Sequence, residues 1–247
     1  MESTSKPIVT LLTDFGHQDP YVGIMKGVIL GICPQACIVD LTHEVFPYQI
    51  AQAAFLLEQS WRHFPQGTIH VVVVDPGVGT ARRPILVEAE GHYFIGPDNG
   101  VFSRLAPTAV REIAVTSQPA SNTFHGRDIF APAAARLANG TAPTCLGRPI
   151  GNTTRLDFNE ASVFHIDHFG NVITSLRAAD FQGALKVNDA IIQRRATTYA
   201  DAPLGELFLI EGSSGYLEIA LNQGSAAQRL GIGIGASVEA QHVLPLP

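Results

Sequence analysis

The chain has 247 residues, 46% hydrophobic and 15% charged against a typical charged share of roughly 25%, which excludes a disordered or polyelectrolyte character. Sixteen Lys and Arg against 22 Asp and Glu leave a net charge of -6, arguing against nucleic acid or an anionic membrane surface as partner. Cys33, Cys37 and Cys145 make neither a disulfide framework nor a CxxC zinc pair, and with no signal peptide and no apolar run of about 18 residues a cytoplasmic location is expected.

Short apolar runs alternate with helix-like stretches from the start: strands at 7–12, 36–41 and 68–74 and helices at 22–32 and 50–64, the rhythm of an α/β sheet. Val71-Val72-Val73-Val74 is apolar at every position, so it is expected as a mid-sheet strand covered on both faces. A strand at 92–95 and a helix at 129–137 follow. The predicted fold is a three-layer N-terminal α/β domain over residues 1–140 with a mostly parallel sheet, then a Gly-, Pro- and Thr-rich linker over 141–156. Residues 157–247 change texture, with strands at 161–166, 171–175, 207–210 and 216–221 and a hairpin turn at 211–215. A small antiparallel β-barrel domain is expected there.

Ligands of open α/β sheets bind beyond the carboxyl ends of the strands. Those ends carry Thr13-Asp14-Phe15-Gly16, Thr42-His43, Asp75-Pro76-Gly77-Val78-Gly79 and Asp98-Asn99-Gly100. Gly77-Val78-Gly79 completes neither GxGxxG nor GxxxxGK[ST], so a polyphosphate is disfavoured. Asp14, Asp75, Asp98, His43 and His125 offer metal-ligating atoms, but no motif organises them. A carboxylate-rich rim suits a ligand with hydroxyls or positive charge. Arg82, seven residues beyond Asp75 across a Gly-rich turn, is within reach of that carboxylate.

Five ordered blocks closely resemble the S-adenosyl-L-methionine (SAM) hydroxide adenosyltransferase family, which is related to the SAM-dependent fluorinase and chlorinase. They are Thr13 to Gly16, Asp75 to Gly79 with Arg82, Phe124-His125-Gly126-Arg127-Asp128, Asp167-His168-Phe169-Gly170-Asn171, and Ser213 to Ile219. The resemblance implies hydrolysis of SAM to adenosine and methionine, SAM being substrate and no cofactor or metal being required. It also implies a homotrimer with active sites between the N-domain of one subunit and the C-domain of the next.

Carried over by position, Asp75, Arg82 and His125 match the water-activating set, with the base left open between Asp75 and His125. Asp14 matches the acceptor for the ribose diol, Asp167 the acid that holds the methionine ammonium, and Asn171 an adenine-side amide. Tyr48, Phe124, Phe169 and Tyr199 match pocket walls, Ser213 and Ser214 the methionine-carboxylate site, and the backbone near Gln223 an adenine contact. Halogenating relatives carry Tyr, Thr and Ser where this chain has Asp75, Val78 and Gly126, and an insertion around residues 88–92 that this chain lacks. A SAM-dependent halogenase, a non-catalytic SAM or adenosine binder and a metal-dependent hydrolase are the competing readings.

Overall fold

The structure, a computed structural model, describes residues 6–115, 121–158 and 161–241. The outer ends of the two expected domains, at residues 1–5 and 242–247, lie outside the described residues. The chain divides into two compact units that meet between Leu156 and Asp157.

The first unit runs β1 (Ile8–Thr13), α1 (Tyr21–Ile32), β2 (Cys37–Thr42), α2 (Ile50–Ser60), β3 (Ile69–Val73), β4 (Pro84–Ala89), β5 (His92–Pro97), β6 (Ala109–Ile113), α3 (Ala131–Ala138) and β7 (Gly147–Pro149). Its sheet has the order β2-β1-β3-β5-β4-β6-β7. β2, β1, β3 and β5 pair in parallel, whereas β4, β6 and β7 join through antiparallel ladders. β4 and β7 therefore oppose the other five strands.

All five residues of β3 are buried. Val71 and Val73 face a core built with Val22, Met25 and Ile29 of α1 and the alanines of α3. Val72 faces the opposite core, with Ala53 and Leu57 of α2 and with Trp61. Helices on both faces explain why this strand reads as an unbroken apolar run, each buried valine contributing about 1.5 kcal/mol or more.

β4, β6 and β7 were not expected. β4 and β5 form a hairpin whose Glu90 and Gly91 both have positive φ (47° and 79°), as a two-residue turn matched to strand twist requires. Part of the stretch expected as a linker is strand β7, paired to β6. Arg83 and Asp98 hold the chain just after it: Asp98 Oδ1 accepts from Thr154 N (2.8 Å), and Arg83 Nη2 donates to Asn152 O (2.9 Å).

The second unit runs β8 (Val163–Ile166), β9 (Val172–Arg177), β10 (Ala184–Val187), β11 (Ala190–Ile192), β12 (Leu207–Glu211), β13 (Tyr216–Leu221), α4 (Ala226–Leu230) and β14 (Glu239–Gln241). Two antiparallel sheets result, β12-β13-β9-β8 and β11-β10-β14. Isolated bridges join their margins, Ser162 to Ser237 on one side and Arg195 to Leu209 on the other, so the pairing runs round a closed ring as in a small barrel.

Candidate active site

In the first unit, β1 ends at Thr13 and delivers Asp14, while β3 ends at Val73 and delivers Asp75 two residues on. Both carboxylates border a cavity of about 300 Å³, together with Tyr48, Val78, Phe124, His125 and Gly126. His125 immediately precedes a single π-helical turn, Gly126–Phe130, that leads into α3. Such turns cost regular hydrogen bonding and are frequent at functional sites.

Arg82 folds back onto Asp75. Its Nε donates to Oδ1 and Oδ2, both at 3.0 Å, and its Nη2 donates to Oδ2 at 2.5 Å. Nη2 also donates to His125 Nδ1 at 2.6 Å. A guanidinium has only donors, so His125 Nδ1 is unprotonated and the neutral ring carries its proton on Nε2. Burial first, and then the Arg82 charge, hold the His125 pKa below its usual range. The Asp75 and Arg82 side chains are only 5% and 9% exposed. Arg82 Nη1, also buried, has no hydrogen-bond partner among the described residues.

Asp14 Oδ2 accepts from the backbone N–H of Tyr48 at 3.0 Å. Burial raises the Asp14 pKa, with the Tyr48 amide opposing that shift. Tyr48 has φ of 69°, an uncommon conformation for a bulky non-glycine residue and one that clusters at ligand sites. Phe124 meets Tyr21 and Phe15 edge to face, with centroids 5.2 and 6.1 Å away, giving the cavity an aromatic wall.

The second unit has its own cavity, of about 640 Å³, bordered by Asp167, Phe169, Asn171, Tyr199 and Gln223. Asp167 caps a tight turn: Oδ1 accepts from the amides of Phe169 (2.9 Å) and Asn171 (2.8 Å), and Oδ2 accepts from Asn171 Nδ2 (2.9 Å). Tyr199 OH donates to Glu218 Oε2 at 3.2 Å. Burial, followed by the Glu218 charge, pushes the Tyr199 pKa up to about 12, and burial raises that of Glu218. Gln223, like Tyr48, has a positive φ, 57°.

Asp75, Arg82, His125, Asp14, Tyr48 and Phe124 are thus gathered in the first unit, and Asp167, Phe169, Asn171, Tyr199 and Gln223 in the second. Ser213 and Ser214 occupy the β12–β13 turn, apart from the residues bordering the second cavity, and Ser214 O accepts from Arg177 Nη1 at 3.2 Å. Asp98 does not join Asp14 and Asp75: Arg83 Nε (3.0 Å) and Thr154 N take up its carboxylate. Among the described residues no three His, Cys, Asp or Glu are placed to hold a metal ion, and no helix is long and apolar enough to cross a membrane.

Phe15, Tyr21 and Glu218 were not singled out from sequence. An aromatic directly after Asp14 was the available signal for Phe15. Glu218 reads as one polar position in a strand, and only its burial beside Tyr199 distinguishes it.

Family profiles match both units: the SAM hydroxide adenosyltransferase N-terminal domain over residues 9–147 and its C-terminal domain over residues 161–239. A protein of Thermus thermophilus named (R)-S-adenosyl-L-methionine hydrolase is 38% identical, over 93% of this chain and 98% of its own. A protein of an Actinoplanes species named fluorinase is 26% identical, over 96% of this chain and 98% of its own. A crystal structure of an uncharacterised conserved protein from Thermotoga maritima superposes with a TM-score of 0.86 at 34% identity, covering 93% of this chain and 98% of that one.

Proposed function

We infer, from the premise that the chain belongs to the SAM hydroxide adenosyltransferase family, that it hydrolyses SAM to adenosine and L-methionine. Following the relatives' name, the substrate is the form designated R. The observation that carries this reading is Arg82 joining Asp75 to His125 at a cavity whose other acid is Asp14.

In the proposed reaction a water oxygen bonds to the ribose C5′ as the C5′–S bond breaks. The bonding pair goes to sulfur, which leaves as a neutral thioether, and the water proton passes to a base and then to solvent. No acid is needed for the leaving group, so the difficulty lies in the nucleophile, since bulk water has a pKa of about 15.7. The Arg82 contact supports Asp75 as proton acceptor: His125 Nδ1 is committed to the guanidinium, whereas Asp75 Oδ1 accepts one bond from Arg82 and keeps a lone pair. His125 Nε2–H then orients the oxygen, and Arg82 stabilises negative charge growing on it. General-base assistance is worth ~10²–10⁴-fold.

Asp14 takes the ribose diol, an acceptor-only carboxylate suiting two hydroxyl donors. Phe124 and Tyr48 exclude water. Asp167 holds the methionine ammonium, Ser213 and Ser214 its carboxylate, Asn171 and the Gln223 backbone the adenine, and Phe169 and Tyr199 wall the pocket. SAM is substrate, and no resident cofactor or metal takes part.

A homotrimer with interfacial active sites follows from the same family reading. α1 presents Tyr21, Ile24, Leu30 and Ile32 exposed, beside Gly23, Gly27 and Gly31, where an added Cβ would meet nothing. Such a face suits close approach of another chain. A cytoplasmic location completes the proposal.

The test is turnover of resolved SAM epimers in H₂¹⁸O without added metal or halide. The expected products are methionine and adenosine carrying ¹⁸O at the 5′ position. Unlabelled adenosine excludes attack by water at C5′, a 5′-halogenated nucleoside that appears only with halide indicates a halogenase, and binding without turnover indicates a sensor.

A further inference from the structure

Behind Asp14 lies a polar chain, buried at Thr13 and His43, that the reaction does not use directly. The His43 side chain is fully buried, and its Nδ1 lies 2.8 Å from Thr13 Oγ1. Thr13 Oγ1 in turn accepts from the backbone N–H of Phe15 at 3.2 Å. The His43 carbonyl accepts from Gly16 N at 2.8 Å, and Val45 N donates to Thr13 O at 3.3 Å. On its far side, His43 Nε2 lies 3.0 Å from Asp40 Oδ1, and Asp40 Oδ2 accepts from Lys26 Nζ. The remaining titratable neighbour is His17, its ring edge-on to His43 with centroids 5.1 Å apart.

The chain has one consistent polarity. Nε2 lies nearest a carboxylate, at 3.0 Å but off the line of a hydrogen bond; placing the ring proton on that side, toward the negative charge, makes Nδ1 an acceptor for the Thr13 hydroxyl. The hydroxyl lone pair is thereby turned to the Phe15 N–H, the amide joined to Asp14. One side chain and one carbonyl of His43 therefore grip both ends of the 14–16 turn. The segment that follows His43 supplies the Tyr48 amide that holds Asp14 Oδ2.

We propose that His43 is a positioning residue for ribose recognition, aiming the Asp14 carboxylate through Thr13. Without the imidazole, the Thr13 hydroxyl proton is buried with no acceptor; the hydroxyl rotates, and the Phe15 amide loses its holder. The role rests on the reading of Asp14 as acceptor for the ribose diol.

Calorimetric Kd values for adenosine and 2′,3′-dideoxyadenosine on the full-length wild type, His43→Ala and His43→Asn test it. Wild type should prefer adenosine by ~10–100-fold, the size of hydrogen bonds to a charged acceptor. His43→Ala should lose at least about tenfold of that preference while binding the dideoxy ligand as wild type does. His43→Asn, whose amide oxygen takes the place of Nδ1, should restore it, and in turnover the alanine variant should raise KM by more than it lowers kcat. If His43→Ala does not fold, the isosteric Thr13→Val takes its place. Unchanged preference, or equal weakening of both ligands, overturns the role of His43 and leaves the ribose reading intact. A wild type that binds both ligands equally overturns the ribose reading and the role of His43 with it.

Discussion

Arg82 Nη2 lies 2.6 Å from His125 Nδ1, and only the arginine can be the donor in that contact. The imidazole is thus fixed in one tautomer by a residue that also fixes Asp75. The one acceptor lone pair of His125 is taken by the cation, whereas Asp75 Oδ1 keeps one free, so the two candidates left open by sequence become unequal.

Asp75→Asn should lower adenosine formation by ~10²–10⁴-fold, the usual worth of a general base. Adenosine affinity should change far less, because Asp14 and Phe124 are untouched. Chromatographic product assay and calorimetry on the same preparation separate the two effects. Arg82→Lys should also be severely impaired: one ammonium cannot reproduce three bonds to Asp75 and one to His125.

The acid side of the pH profile should reflect His125. Its pKa is lowered from 6.5 by burial and then by Arg82, so the neutral ring persists below the usual histidine range. As pH falls through the lowered value, Nδ1 gains a proton and can no longer accept from Arg82. Activity should therefore stay level through pH 6.5 and fall only at lower pH. His125→Asn, which keeps an acceptor for Arg82, should lose that limb while retaining more activity than His125→Ala. A limb centred at or above 6.5 in wild type would contradict this.

Gly79 and Gly170 are among the close-approach glycines. Gly79 has φ of 77°, and an added Cβ would fall 2.3 Å from Asn122 O; Gly170 has φ of 85°, with its Cβ 2.1 Å from Ser225 Oγ. Alanine at either should cost about 1–3 kcal/mol and lower Tm by roughly 2–10 °C. Gly79→Ala should also lower kcat, because Asn122 lies three residues before His125. Gly151→Ala, in open space with no positive φ, serves as the neutral control in thermal denaturation.

A second buried imidazole makes stability fall in acid. His70 is fully buried, accepts from or donates to Thr10 Oγ1 at 2.8 Å and to His92 Nδ1 at 3.2 Å, and stacks on Phe94 at 4.9 Å. Burial, with a smaller contribution from His92, lowers its pKa from 6.5 to about 3. Between these values the unfolded chain binds the proton and the folded chain does not. Stability is therefore full above pH 6.5 and declines as pH falls toward 3, by an order of 4–5 kcal/mol in full. Urea midpoints at pH 7, 5 and 4 should fall more steeply for wild type than for His70→Asn.

The N-terminal strands and helices were legible because each carries an apolar period or an unbroken buried run, as at Val71 to Val74. The antiparallel strands are less legible: Pro84 to Ala89 begins with a proline, and only Glu90-Gly91 after it marks a hairpin turn. β7 reads as linker in the sequence because Gly147, Arg148 and Pro149 have no strand propensity, and only pairing with β6 makes them a strand. Asp75, Arg82 and His125 were legible as separate motifs, whereas their joining through one guanidinium was not. Asp98 looked identical to Asp75 in its Asx-Gly setting, and only Arg83 and Thr154 distinguish its environment. Glu218 shows how burial, invisible in a single strand, turns an ordinary acid into a partner for a phenol.

The strand margins bear on how the protein behaves at high concentration. In the second unit the bridges at Ser162–Ser237 and Arg195–Leu209 leave few unpaired amides to recruit a stray strand. In the first, β7 ends the sheet with Pro149, which has no N–H to offer, and β2 ends it with Asp40 tied to Lys26. Each margin is blunted by different chemistry, so edge-to-edge aggregation is opposed at the native fold itself.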